Sequence, residues 1–255
     1  MATPNSDRSG AARLRLVTGL CGVAAAAWAA LLLPGVWNAA PVESAARRIL
    51  AGDSFKRDAT AGLVEQLARA PLPALRPASL TRAEAVLQLN LAERALATEA
   101  DAEPRLAAAA AAIDAALAQA PTDAYLWAAR YALATSRLGA DPAHLPDLVR
   151  SYQLGPREGW IALLRHPRGL AVFAQLDPAT QQRVVAEFAG LVSAQLTRDA
   201  VLALAGLGWP IRDRLLAGLA EVDLEPKQAL VKAMRREGVR IEVPGVPEQE
   251  ERPWR

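Results

Sequence analysis

Between Leu16 and Trp37 the chain reads LVTGLCGVAAAAWAALLLPGVW, 22 residues without a charge, and the next charged side chain is Glu43. About 20 apolar residues, at ~1.5 Å of rise each, carry a helix through the hydrocarbon core of a bilayer. Lipid offers no partner to an open amide, so helix is the form such a segment takes there. The sequence therefore predicts a transmembrane helix over 16–37, with Pro34 and Gly35 in its last turn and Trp37 at the interface. A cleaved signal peptide is the competing reading. Ala27-Trp28-Ala29 has the small-x-small form of a cleavage site, but the apolar run continues through it to Leu33, which favours an uncleaved anchor.

Arg8, Arg13 and Arg15 precede the segment, against Asp7 alone. The positive-inside bias then places the amino terminus in the cytoplasm and the bulk of the chain in the periplasm, as a single-pass protein of the inner membrane. Cys21, the single cysteine, lies within the run and has no intramolecular disulfide partner.

Past the anchor the charge balance is neutral. Of 29 basic and 27 acidic residues, three and one precede residue 16, leaving 26 of each from Glu43 onward. A nucleic-acid binder carries a basic face, so nucleic acid is not an expected partner. The chain is 52% hydrophobic, which excludes disorder, and it holds 58 alanines with only 5% aromatic residues. That composition favours helix over sheet.

Proline and glycine punctuate the chain beyond residue 37. Short helices are expected at 43–51 and 58–70, and Pro71, Pro73 and Pro77 then interrupt the chain. Thr81 and Glu84 have capping-box spacing for a helix ending near Thr98. Further helices are expected at 104–120, 122–138, 142–153, 156–164, 169–176, 178–196, 198–207, 210–222 and 226–237. Val184, Val185, Phe188, Leu191 and Val192 form one apolar stripe, suited to a core rather than to a second span. The organisation is thus a tail at 1–15, a transmembrane helix at 16–37, and a linker with short helices at 38–78. Helical hairpins follow at 79–165, a helical region at 166–238 and a flexible tail at 239–255. The fold class is all-α, an array of antiparallel helix pairs behind one membrane helix.

A junction recurs in this array. Pro121 to Pro156 and Tyr125 to Trp160 are each 35 residues apart, and each proline ends a helix just before the aromatic opens another. Tyr125, Ala129 and Ala132 mark one face of that helix, Trp127, Tyr131 and Ala134 a second, so it is expected to be buried between neighbours. Over about residues 80–165 the junction resembles that of tetratricopeptide repeats, whose period is ~34 residues. The larger resemblance is to membrane-anchored bacterial proteins with tetratricopeptide-like domains, some of which serve surface-polysaccharide synthesis or cytochrome maturation. The segment Leu154 to Ile161 faintly resembles anchored proteins of polysaccharide loci.

No catalytic, metal or cofactor motif is found. His144 and His166 share no ligand spacing, and the phosphate-loop, nucleophile-elbow and dinucleotide patterns are absent. Candidate interaction residues are Asn90, on a helix that faces a peptide in tetratricopeptide proteins, and Arg157, Arg165, His166 and Arg168. The three arginines suit an anion, although pairing with Glu158 and Asp177 or helix capping is the plainer role in a chain with 26 arginines. The expectation is a non-enzymatic scaffold or adaptor holding an envelope or inner-membrane protein, tied to the lipid bilayer through 16–37, without cofactor. The alternatives are a subunit held through its membrane helix, or an envelope enzyme acting on polysaccharide through Glu158 and Asp177.

Overall fold

The computed structural model describes residues 6–53, 55–69, 76–98, 102–139, 141–156 and 158–247, with side chains except those of 6–14, 31–38 and 137–138. Among the described residues eleven α-helices follow one another: α1 Ser6–Leu50, α2 Arg57–Arg69, α3 Ala78–Thr98, α4 Ala102–Gln119, α5 Ala124–Leu138, α6 Leu145–Leu154, α7 Gly159–Ala171, α8 Pro178–Ser193, α9 Thr197–Ala205, α10 Arg212–Ala217 and α11 Leu224–Arg236. Short 3-10 turns stand at Pro142–His144, Phe173–Gln175 and Trp209–Ile211. No strand occurs among the described residues, so the helical class holds. The chain divides into two compact units, 1–105 and 106–255.

The transmembrane helix expected over 16–37 is corrected: among the described residues, no helix is long and apolar enough to cross a membrane. Ala and Gly make up much of the uncharged run that begins at Leu16. Nor does the helix end at Pro34 and Gly35. α1 continues 45 residues to Leu50, through the expected border between anchor and linker. Its last part is a packed element of the first unit, burying Ala39, Val42, Ala45 and Ala46. These small side chains recur at helical spacing and let α2 and α3 approach closely. Leu16, Val17, Leu20, Val23 and Trp28 are exposed.

The start of α3 also differs from expectation. The helix begins at Ala78, so Thr81 lies inside it and its hydroxyl donates back to Pro77 O at 3.1 Å. Glu84 pairs with Arg76 at 2.5 Å instead of closing a capping box. Pro77 ends the interrupted stretch, and its carbonyl receives the amides of Leu80 and Thr81, so the first turn forms one turn early.

In the second unit the punctuation works largely as written. Asp123 caps α5, accepting from the amides of Tyr125 and Leu126 at 2.9 and 3.2 Å, and Gly139 ends it at φ 75°. α5 packs along α6, and α7 returns beside α5. Tyr125, Ala128, Ala129, Tyr131, Ala132 and Leu133 are all buried, as an inner helix requires. The two junction aromatics meet: the Tyr125 and Trp160 rings stand 5.2 Å apart. The helices expected at 156–164 and 169–176 are one helix, α7, running through Pro167. Pro167 and Leu163, whose carbonyl loses its donor, are exposed, so the break falls outside the core. Behind α7, the side chains of α8, α9 and α11 close a core around Val184, Phe188, Leu191, Leu204, Leu215, Leu230 and Met234.

The segment from Val239, read as a flexible tail, lies on this core over its described residues. Val243 is buried, and the buried Lys227 Nζ donates to Ala220 O and Pro244 O, both at 3.2 Å.

α8 ends in a left-handed residue that is not glycine. Gln195, exposed, has φ 57°, and Leu196 N donates to Leu191 O at 3.0 Å across the reversal. An L side chain in this conformation is strained by about 1 kcal/mol relative to glycine. Gln195→Gly is therefore expected to raise stability by up to ~1 kcal/mol, read as a higher urea midpoint with an unchanged slope.

Candidate functional site

The polar residues of α7 turn inward. Arg165 follows Ile161 and Ala162 on the helix face that meets α5 and α8, and it is fully buried at 0% exposure. A buried guanidinium needs a countercharge and filled donors. Glu187 on α8 supplies the charge, accepting from Arg165 Nε at 2.7 Å and Nη2 at 2.6 Å through Oε1. The remaining donors reach the C-terminal carbonyls of α6: Nη1 to Ser151 O at 2.8 Å and Nη2 to Gly155 O at 2.7 Å. Ser151 O also accepts from Gly155 N at 3.1 Å, and the cation lies at the negative end of α6, where a positive charge is well placed. Ser151 Oγ, 3.2 Å from Nη1, donates onward to Ala124 O at 2.8 Å and ties in α5. The Tyr152 ring lies under the guanidinium, 4.3 Å from Cζ to its centroid.

His166 extends this cluster. It is 1% exposed, its ring stacks on Phe188 at 6.1 Å, and its Nδ1 faces Glu187 Oε2 at 3.4 Å. Among the described residues, neither imidazole nitrogen, nor Glu187 Oε2, nor the Tyr152 hydroxyl has a hydrogen-bond partner. Burial by itself pushes the Glu187 carboxyl up; the facing imidazole and the Arg165 guanidinium outweigh it and hold the group below its ordinary value of 4.5. Burial pushes the Tyr152 phenol well above its usual range, so it stays protonated.

On its other side His166 borders a cleft of about 180 Å³, lined also by Leu163, Leu170, Asp199, Leu202 and Leu207. Leu163 is 44% exposed, Leu202 63% and Leu207 52%. The cleft is an apolar pit between α7 and α9, with one imidazole in its wall and one carboxylate at its edge.

Two of the residues singled out in the sequence are not at the surface of the second unit. Arg165 and His166 are core side chains. Arg168 is half-buried and donates through Nη1 to Leu164 O at 2.5 Å, and Arg157 lies outside the described residues. Arg165, one of the three arginines considered for an anion, is committed to Glu187 rather than to Glu158 or Asp177. Asp177 caps α8 by accepting from Thr180 N and Oγ1 at 3.0 and 2.6 Å, while Glu158 is exposed at the start of α7. Asn90 is half-buried on α3 of the first unit, its Oδ1 buried without a partner among the described residues. His144 sits in a 3-10 turn and belongs to no site. Among the described residues no group of acidic, histidine and cysteine side chains is arranged to hold a metal ion.

Glu187 was not singled out in the sequence. Its position offered the signal: Val184, Glu187, Phe188 and Leu191 occupy one face at offsets of 0, 3, 4 and 7.

No family model matches the chain, and neither a curated protein nor a solved structure matches it.

Glu187→Gln keeps the shape and strands the buried Arg165 charge, so it is expected to cost about 3–5 kcal/mol in urea unfolding. Because the folded value of the wild-type carboxyl lies below 4.5, its contribution is complete above that pH and is lost as pH falls through the lowered value. Wild-type urea midpoints should therefore fall below about pH 4.5 more steeply than those of the Gln variant.

Proposed function

We propose that the chain is a non-catalytic helical scaffold that holds another protein on the α7–α9 face of its second unit. The observation that supports this reading is the gathering of three exposed leucines, Leu163, Leu202 and Leu207, around one cleft. A single exposed leucine has no functional meaning, since much of any folded surface is apolar. Leucines grouped at a concavity are what a binding surface provides, because one inserted side chain there loses its water on all sides.

The helical order of the second unit supports the same reading. α5, α6 and α7 follow one another side by side, the junction aromatics Tyr125 and Trp160 are in contact, and the Arg165 cluster stiffens the helix beneath the cleft. A binding face on rigid helices loses little freedom on association. The tetratricopeptide likeness of residues 80–165 belongs to this proposal, as the family in which such stacked helices serve protein binding. The bilayer anchor is no part of it.

The test uses the full chain in its native cell, with a photo-crosslinking amino acid at Leu202 and, as a control, at the exposed Lys232 on α11. A discrete protein adduct from position 202, absent from position 232 and lost when Leu163→Glu is added, is the expected result. No adduct, or the same adducts from both positions, overturns the scaffold reading. Leu163→Glu changes an exposed side chain and should leave the unfolding midpoint within about 0.5 kcal/mol of wild type.

A further inference from the structure

Among the described residues, half of the large apolar side chains that stand in solvent belong to one stretch of α1. Leu16, Val17, Leu20, Val23 and Trp28 are each between 54% and 70% exposed. Every residue from Arg15 to Ala30 is exposed, and Arg15 carries the one charge in that stretch. The five large side chains leave on the order of 600 Å² of apolar surface in water, the upper end for one patch on a monomer. This arm of α1 is not alike on all sides. Val17, Leu20, Ala24 and Ala27 follow offsets of 0, 3, 7 and 10, the spacing of a seam between two helices. Leu16 and Val23 flank the seam on one side, Cys21 and Trp28 on the other. The outer face holds Arg15, Thr18 and otherwise only glycine and alanine. A helix that lies on a lipid surface carries a strongly charged outer face, which this arm lacks.

We propose that the arm pairs antiparallel with the same arm of a second copy of the chain. Size along the seam selects both the partner and the direction. Val17 and Leu20 fill the first half of the seam, and alanines fill the second. In an antiparallel pair Val17 meets Ala27 of the second copy and Leu20 meets Ala24, so each layer holds one large and one small residue. A parallel pair would set leucine on leucine at one end and alanine on alanine at the other, which one helix spacing cannot fill. The antiparallel pair also brings Val23 against Val23 of the second copy beside the two-fold axis. It holds the two Arg15 residues about 14 positions, or ~21 Å, apart, beyond the ~8 Å reach of charge repulsion in physiological salt. With the seam alanines added, the area covered on each copy approaches the ~800 Å² per partner of a stable interface. This pairing is separate from protein binding at the α7–α9 face, which belongs to the other unit.

The test uses the purified full chain in water without detergent, followed by sedimentation equilibrium. The mass should be twice the 27.0 kDa of one chain. Leu20→Glu puts a charge into the seam of each copy and should weaken the dimer at least about tenfold, whereas Ala26→Glu on the outer face should change it by less than about threefold. Both positions are exposed in the single chain, so neither change disturbs its core. The exposed Cys21 reports the direction. Its flank meets itself across an antiparallel pair, while a parallel pair holds the two thiols on opposite sides of the seam. A bismaleimide with a two-carbon bridge should therefore join the native thiols into a covalent dimer. A monomer, a larger aggregate, a dimer indifferent to Leu20→Glu, or a dimer that the bismaleimide does not join overturns the proposal. So does a chain that is monomeric in water but floats with vesicles of phosphatidylcholine and phosphatidylglycerol, and loses that flotation in Leu20→Glu, because lipid then covers the arm.

Discussion

One buried cation organises the second unit. Arg165 brings a full positive charge into a helical core, where a charge persists only if its solvation is replaced. The replacement comes from three helices at once: Glu187 of α8, and the Ser151 and Gly155 carbonyls at the end of α6, around an arginine of α7. Moving any one of these helices separates the guanidinium from a group that stabilises it. Apolar contacts tolerate small slippage, whereas a planar fork with fixed donor directions does not. The cluster thus sets the mutual position of α6, α7 and α8, and the cleft inherits its shape from that arrangement.

The close approach of these helices is written in small residues as well. At Gly169 of α7, an added Cβ would collide with the Tyr152 hydroxyl, and at Gly155 it would stand 2.7 Å from Ala124 Cβ. Tyr152 needs that room because its ring is the platform for the Arg165 guanidinium. Two glycines, one tyrosine and one ion pair therefore form a single packing problem with a single solution.

Much of the fold was legible in the sequence because proline, glycine and capping aspartates act locally. Gly139 and Asp177 bound their helices with a chemistry that needs no tertiary context, and at α5 the cap is Asp123 rather than Thr122, where the sequence places the start of the helix. What misled was tertiary or marginal. Pro167 reads as a break, yet an exposed carbonyl lets α7 continue through it. The apolar run at the amino terminus reads as a span, but alanine and glycine contribute little apolar surface per residue, and α1 continues into a packed helix past it. The site was hidden for a related reason. Arg165 stood out only as one of three arginines for an anion, because its partner lies 22 residues away on another helix.

The contact between Tyr125 and Trp160 has a consequence for how such a chain tolerates change in length. The two rings sit one at the start of α5 and one at the start of α7, 35 positions apart in the sequence and 5.2 Å apart in space. One residue inserted within α5 or α6 rotates everything beyond it by roughly 100°, given 3.6 residues per turn. It would carry Leu148 or Tyr152 out of the core and turn the following aromatic away from its neighbour. The reversal around Gly139 to Asp141 lies outside both helices, and added length there leaves their registers intact. Insertions and deletions in descendants of this sequence should therefore collect at that turn, while the helices on either side keep their residue count.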